Sequence, residues 1–461
     1  MSNESIPSAE RPAVPIEIGE QLVEEIDGFL QEGQRGIVLN IVEDMHPADI
    51  AQLIRHLPED SGRSLFHWLP EDKAGAALTE MESSRRNDLL GEKETAEIVS
   101  LLDEIDTDDA ADVLNDLPDE VSDEVLPQLE DAYEVQALLH YPEDTAGGLM
   151  ENEYVAVLDT ETVGHATEEL RKCAEEVDPV YAVYVNDSAG RLVGVVDLKR
   201  LVLAPAYAPI SSIMEPEPIS VEPERDQEDV ARIMERYDLV TLPVVSADGH
   251  LLGRITIDDI VDVIREEAEE DLQRASGIAG DEEFSSSVFS ISRGRLPWLV
   301  IGMTGAFLSG LVINTFEDGL EKAVVLATFI PIVTAMGGNA AIQSAAIAVQ
   351  GLSSGDLWLG EAVRRIGKEL LVALINGVVL ALLMGVIVLT LGLGDPMRLA
   401  LTVGLTLLIV IVLATTNGAL VPFMLKRVGV DPASAMGPFV TTLNDIIGLT
   451  VYFLIASQLY L

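Results

Sequence analysis

The chain has 461 residues, with 78 Asp and Glu against 28 Lys and Arg and a formal net charge of −50. Such a surface repels phosphate and excludes nucleic acid as a partner, and the length asks for several domains. The single Cys173 excludes an internal disulfide and a Cys-based zinc site, which suits a reducing cytoplasm.

The charge is unevenly spread. From Leu296 onward 9 acids face 7 bases, a net of −2, which leaves −48 on the first 295 residues. Lys is scarce, 7 against 21 Arg, so most of the acidity reads as adaptation to concentrated salt, with cation sensing as the competing cause. In molar salt the Debye length falls to about 3 Å, so only closely spaced carboxylates still feel one another. Clusters therefore carry the functional signal.

Residues 1–20 are polar and interrupted by proline, and read as a flexible tail. Over residues 21–143 a period appears. Leu57-Pro-Glu-Asp, Leu69-Pro-Glu-Asp, Leu117-Pro-Asp-Glu and Tyr141-Pro-Glu-Asp start 12, 48 and 24 residues apart, with weaker copies on the same grid at Met45, Met81, Ile105 and Leu129 and a break at position 93. Proline followed by acids opens a helix, because proline fits the first turn and carboxylates meet the positive end of the dipole. Amphipathic runs such as Ala110, Val113, Leu114 and Leu117 then predict short stacked helices, an all-α helical-repeat domain. Most of these acids are scaffold on this reading.

Residues 144–271 change to strands. Tyr181-Ala-Val-Tyr-Val and Gly190-Arg-Leu-Val-Gly-Val-Val form an apolar hairpin, and Val240-Thr-Leu-Pro-Val-Val with Gly249-His-Leu-Leu-Gly-Arg-Ile repeats it 59 residues later. Each hairpin follows an amphipathic helix, Val163 to Glu176 and Asp226 to Tyr237. The two α/β copies, about 144–205 and 206–271, resemble the tandem CBS pair of many energy and ion sensors. In Gly253-Arg-Ile-Thr256-Ile-Asp-Asp259, Thr256 and Asp259 look like the Thr-x-x-Asp that holds an adenosine ribose in such pairs. The first copy has Asp197 and Arg200 at those places, so the resemblance implies at most one site for ATP or another adenine nucleotide.

Eight acids then crowd fourteen residues of helical pattern, Asp258 to Asp271. Asp259, Asp262, Glu266, Glu267, Glu270 and Asp271 share neighbouring faces, and like charges at that spacing destabilise a helix. A divalent cation such as Mg²⁺, held directly or through its waters, is the economical compensation. A salt-adapted solvated helix is the alternative. Residues 272–295, polar and ending in Arg293 and Arg295, connect this cluster to the apolar half; if helical, the connector is a lever.

Five stretches, Leu296 to Phe316, Ala323 to Gly355, Leu370 to Gly394, Leu399 to Leu425 and Pro432 to Leu461, each exceed the about 20 residues that cross a bilayer. Arg293, Arg295, Arg364, Arg365, Lys368, Lys426 and Arg427 fall on one side and Lys322 and Arg398 on the other, which predicts cytoplasmic soluble domains and an external C-terminus. No signal peptide precedes the soluble part, which agrees. Pro331, Gly337, Gly338 and Asn339 in the second span, and Thr415-Thr-Asn417-Gly418 with Pro422 in the fourth, predict broken helices, with close packing as the alternative. The fifth span holds one carboxylate near its middle, Asp445, beside Thr441, Thr442 and Asn444. A charge at that depth normally faces a bundle interior, a watery path or a partner. A structural Asp bonded to backbone is the bland reading, a cation path the sharp one.

Pro331-x5-Gly-Gly-Asn339 and Asp431-Pro-Ala-x3-Gly-Pro-x2-Thr-x3-Asp445-x2-Gly448, set after an acidic helical domain, Pro142-Glu-Asp-Thr-Ala-Gly-Gly-Leu-Met and a CBS pair, make the chain from about residue 25 resemble the MgtE family of magnesium channels. Ala341 departs from the Gly the family often carries there. The resemblance implies a multidomain homodimer in a lipid bilayer, its third part an all-α five-helix transmembrane domain over residues 296–461 behind a connecting (plug) helix, and no enzyme activity. It also implies a pore along the second and fifth spans, with Pro331, Gly337, Gly338, Asn339, Thr441 and Gly448 lining it and Asp445 facing hydrated Mg²⁺. Regulatory Mg²⁺ would hold the channel shut through Asp108 and Asp112 of the helical domain, Asp226, Glu228 and Asp238 of the second CBS unit, and Asp259, Asp262, Glu267, Glu270 and Asp271. Two other functions stay open, an ion-coupled carrier of another divalent cation such as Co²⁺ and a nucleotide-sensing membrane regulator. Asp445 separates the first two from the third, since an anchor has no use for it.

Overall fold

A computed structural model describes residues 18–91, 93–173, 177, 179–278, 288–353, 357, 362–435 and 437–461. It divides into two units, Met1–Arg265 and Glu266–Leu461.

The first unit opens with α1 (Glu20–Gln31) and α2 (Arg35–Val42), and then the twelve-residue grid becomes visible in space. Helices α3 (Pro47–His56), α4 (Glu59–Trp68), α5 (Glu71–Thr79), α6 (Ser83–Leu90), α7 (Thr95–Leu102), α8 (Thr107–Asp116) and α9 (Asp119–Val125) start at intervals of 12 residues, and α10 (Ala132–Leu138) closes the series. The apolar residue that opens a repeat is a core residue: Met45, Leu57, Leu69, Met81, Leu117 and Leu129 are all buried. The expected break at position 93 is corrected, because α7 starts on the grid. Lys93 fills the place of Leu or Met; its ammonium lies 5.4 Å from the Phe66 ring centroid and 3.7 Å from Glu97. A long alkyl stem covers the apolar neighbours while the charge reaches the edge.

The α/β part follows as β1 (Ala156–Leu158), α11 (Val163–Lys172), β2 (Ala182–Asn186), β3 (Leu192–Asp197), α12 (Leu198–Leu203), β4 (Glu215–Pro216), α13 (Gln227–Tyr237), β5 (Thr241–Val245), β6 (Leu251–Thr256) and α14 (Ile257–Ala275). The predicted offset of 59 holds in the ladders. Val183 pairs with Val196 in the first hairpin and Leu242 with Ile255 in the second, with register shifts at Val185/Asn186 and at Val244/Val245.

The segments before the modules are exchanged. β4, near the start of the second module, pairs with β3 of the first, while Glu151, near the start of the first, pairs with Arg254 of the second. Gly253 permits that approach, since a Cβ there would sit 2.5 Å from the Glu151 carbonyl oxygen. One apolar core runs through the helical repeat and the second module, joining Leu114 and Leu117 to Val230, Leu242 and Val263. The first module has a core of its own around Val163, Val183 and Val196.

The second unit starts inside α14, which ends at Ala275 and is followed by Gly277 in a left-handed conformation. Residues 279–287 of the predicted connector lie outside the described residues. The membrane-length helices are α15 (Val288–Thr315), α17 (Ile330–Ser353), α18 (Ala362–Leu391), α19 (Pro396–Arg427) and α20 (Pro438–Leu459), with a short α16 (Glu317–Lys322) after the first. α15 therefore begins eight residues before the predicted span and takes in Arg293 and Arg295.

The predicted breaks are corrected. α17 and α19 are continuous, and Gly337 and Gly418 serve close packing. Pro331 stands in the first turn of α17, where a 3₁₀ stretch, Val324–Phe329, hands over to α-helix. Gly418 of α19 lies against the Ala341 carbonyl, where an added Cβ would come within 2.2 Å of the oxygen. Gly337 and Gly448 both face Val410 of α19.

Candidate metal centre

α8 opens with Thr107-Asp108-Asp109 and α14 with Ile257-Asp258-Asp259, so each presents acids from the turn where the helix dipole favours them. The fold brings Asp108 and Asp259 to Glu151, with one carboxylate oxygen from each lying within 4.8 Å of the others. Asp108 Oδ1 is enclosed and has no hydrogen-bond partner among the described residues. A buried acceptor left unmet is costly, and a cation or its bound water supplies what the protein does not.

Burial dominates the protonation of the group. It raises Asp108 well above the usual carboxylate range, with repulsion from Asp109, Asp259 and Glu151 adding to it. Asp109 is pushed up to about 8 by burial and then by Asp106, Asp112 and Asp259, against the pull of Arg86. Glu151 rises to about 7 through burial, against the pull of Arg254. Asp259 rises to about 6 through burial, restrained by the Thr256 hydroxyl, which donates to its Oδ2 at 2.7 Å. The chemistry of the set fits a hard divalent cation, which replaces protons on several oxygens at once.

Asp112 joins this cluster through Asp109. Asp262 does not: it pairs with Arg265 at 3.0 Å and repels Glu80. Asp226 caps α13, accepting from the Glu228 backbone at 2.9 Å, Glu228 lies 3.8 Å from Arg232, and Asp238 sits at the other end in a left-handed conformation. Eleven helical residues separate those ends by roughly 16 Å, so Asp226 and Asp238 cannot share one ion.

The remaining predicted acids belong to the second unit. Glu270 is paired with Arg274, whose Nη1 also donates to Asp431 at 2.6 Å. Asp271 is hydrogen-bonded to Ser353 and raised by burial, then by Asp431 and Glu267.

Among the membrane helices, Asp445 is half-buried, and no hydrogen bond or ion pair reaches its carboxylate among the described residues. It is the fourteenth residue of the predicted stretch Pro432 to Leu461 and the eighth of the 22 residues of α20. Its neighbour Asn444 is buried and donates to the Val440 carbonyl at 2.8 Å. On α17 the exposed stripe Pro331, Ala335, Asn339, Gln343 and Ile347 carries two amides, while Gly337 and Gly338 point inward. Thr441 is half-buried and Gly448 buried.

Sequence reasoning missed Asp109, Glu151, Arg254 and Asp431. A signal for the buried pair was present: Arg254 interrupts the apolar strand Leu251-Leu-Gly-Arg-Ile-Thr, and a charge at an inward position needs a partner. It also missed Glu369, because α18 begins before the predicted third span. Glu369 accepts from Ser344 of α17 at 3.0 Å and from Arg365 at 2.6 Å.

Five membrane-length helices following a helical repeat and a CBS pair define a class, multi-span membrane proteins with a cytosolic soluble part. Within that class the comparisons are specific. The chain belongs to the MgtE family: the profile described as MgtE, divalent cation transporter, matches residues 330–455, that of the MgtE intracellular N domain matches 45–144, and CBS domains match 146–207 and 210–266. It is 38% identical over 329 residues to the magnesium transporter MgtE of Thermus thermophilus, covering 71% of this chain and 72% of that one. To the protein of the same name from Bacillus subtilis it is 36% identical over 323 residues, covering 70% and 71%. A solved structure of the cytosolic domain of the Mg²⁺ channel MgtE in complex with ATP is similar at 34% identity and a TM-score of 0.50, covering 52% of this chain and 100% of that one.

Proposed function

We propose that this chain is a Mg²⁺-selective uptake channel, a homodimer whose cytoplasmic domains bind Mg²⁺ and close the pore when the ion is abundant. The observation that carries the reading is the meeting of Asp108 from the helical domain with Asp259 of the second CBS module and with Glu151. Carboxylates from three segments repel until a cation joins them, so occupancy decides whether the domains stay together. Asp108, Glu151 and Asp259 hold the ion, with Asp109 and Asp112 beside them. When bound, Mg²⁺ supplies positive charge and an ordered water shell, and the protein's part is to keep the oxygens close.

For conduction, Asp445, unpartnered among the described residues, and the exposed amides Asn339 and Gln343 are costly toward lipid. A second copy shields them from lipid, and the space between the copies becomes a polar path along α17 and α20, with Pro331, Asn339, Thr441 and Asp445 on it. Carboxylates that hold the ion through its waters select it without stripping them. The C-terminus is external on the Lys and Arg count. Thr256 and Asp259, with the ATP-bound relative, support an adenine nucleotide on the second module as a modulator.

The test is flux through reconstituted vesicles. Asp445→Ala abolishes Mg²⁺ uptake while the dimer still assembles, and Asp108→Asn with Asp259→Asn leaves flux open at high internal Mg²⁺. Full uptake by the first variant overturns the pore assignment, and unchanged closure in the second overturns the sensor.

A further inference from the structure

Resting on the sensor reading above, we infer that Arg254 is a tethered cation of the metal centre, which stands in part for the divalent ion and thereby sets the concentration at which that ion is taken up. Three observations lead there. The Arg254–Glu151 pair is buried, with 3% and 9% of the two side chains exposed. Arg254 Nε and Nη2 converge on a single oxygen, donating to Glu151 Oε2 at 3.0 and 2.7 Å, so the fork leaves Oε1 outside these bonds. Nη1 donates to the Pro179 carbonyl at 2.6 Å, which fixes the guanidinium from a third side.

The side chain is not needed to place Glu151. The backbones do that: Glu151 N donates to the Arg254 carbonyl at 2.8 Å, and Arg254 N donates to the Glu151 carbonyl at 3.0 Å. What the guanidinium adds is charge. Asp108, Glu151 and Asp259 carry −3 when ionised, and Arg254 brings these four groups to −2, the charge one divalent ion neutralises. Held at Pro179, the guanidinium cannot swing away when the ion arrives, so it opposes binding as well as calming the empty site. Like charges brought close in a site of low dielectric interact strongly, so its removal favours the ion.

The test measures the midpoint for Mg²⁺ in stabilising the full-length protein against heat, in detergent at fixed ionic strength. Arg254→Gln binds Mg²⁺ about tenfold more tightly than the parent, whereas Arg254→Lys, which keeps the charge, stays within about twofold. Glu151→Gln binds more weakly than the parent, because a ligand charge is lost while the guanidinium remains. Where Arg254→Gln alone does not assemble, Glu151→Gln combined with Arg254→Gln carries the comparison. It regains about tenfold over Glu151→Gln.

A midpoint that is unchanged or weaker in Arg254→Gln, while Asp108→Asn loses the ion, makes Arg254 purely structural and overturns the inference alone. An unchanged midpoint in Asp108→Asn places the ion elsewhere and overturns the sensor with it.

Discussion

Thr256 and Asp259 are joined twice: the hydroxyl donates to Asp259 Oδ2 at 2.7 Å and the backbone N–H of Thr256 reaches the same oxygen at 3.3 Å. The residue pair that looks like a ribose clamp thus also orients a carboxylate of the proposed metal centre. Thr256→Val keeps the shape of this buried side chain and removes the hydroxyl donor. A net hydrogen bond to a charged group contributes about 1.5–3 kcal/mol. The expected result is a severalfold weaker Mg²⁺ midpoint in thermal denaturation, with the fold intact by circular dichroism.

The raised carboxylates give the soluble part a pH dependence with a definite sign. Asp109 and Asp259 titrate near about 8 and about 6 when folded, above the 3.8 of a free side chain, so between those values the folded chain holds more protons than the unfolded one. Stability without Mg²⁺ therefore falls as pH rises from about 4 to about 8. Mg²⁺ displaces those protons, so its stabilising effect grows over the same window. Melting curves at pH 5, 6.5 and 8 with and without Mg²⁺ check this, and a Mg²⁺ effect independent of pH contradicts it.

Lys93 tests the helical repeat. Its stem occupies a site that Leu or Met fills elsewhere on the grid, so Lys93→Leu is expected to raise stability by about 1 kcal/mol and Lys93→Ala to lower it by a similar amount. Thermal unfolding of the full chain measures both. A destabilising Lys93→Leu would mean that the ammonium beside Phe66 and Glu97 matters more than the burial.

That position also marks where the sequence was readable. The period was legible because Leu-Pro-Glu-Asp combines a core residue, a helix start and dipole-compatible acids in one motif. At Lys93 the motif failed while the backbone kept its step, since a lysine stem packs like an aliphatic chain. The membrane helices were legible from length and hydropathy, but Gly337, Gly338 and Gly418 were ambiguous, because glycine serves a bend and a close contact equally well. Asp108 was named through the family resemblance, and Asp259 through the acidic run of residues 258–271 and the Thr-x-x-Asp pattern. Glu151 and Arg254 meet across 103 residues through a strand exchange that no local pattern encodes.

The crossing of α17 and α19 is a place where one methyl group decides assembly. At Gly418 an added Cβ would meet the Ala341 carbonyl oxygen at 2.2 Å and its carbon at 2.9 Å, both backbone atoms that cannot turn aside. Gly418→Ala is expected to cost 1–3 kcal/mol as overpacking and to lower the yield of monodisperse protein in size-exclusion chromatography. Gly385→Ala on α18, where an added Cβ meets nothing within 4 Å, is the control and stays near parent yield.

Arg274 gives the last prediction, because it ties the end of α14 to the turn before α20. Its side chain is 39% exposed and that of Asp431 29%, and it also pairs with Glu270, so the ion pair itself contributes about 0–1 kcal/mol. Its weight lies in position: Asp431 and Glu267 repel Asp271, and Arg274, paired with Asp431 and Glu270, supplies positive charge beside them. In Arg274→Gln the melting temperature is expected to move little, while the internal Mg²⁺ needed to close flux rises severalfold, since an added ion must now offset the repulsion that the guanidinium absorbed. Vesicle flux against internal Mg²⁺ measures the shift. Closure at the parent concentration, with an unchanged melting temperature, would reduce the Arg274–Asp431 contact to a surface ion pair.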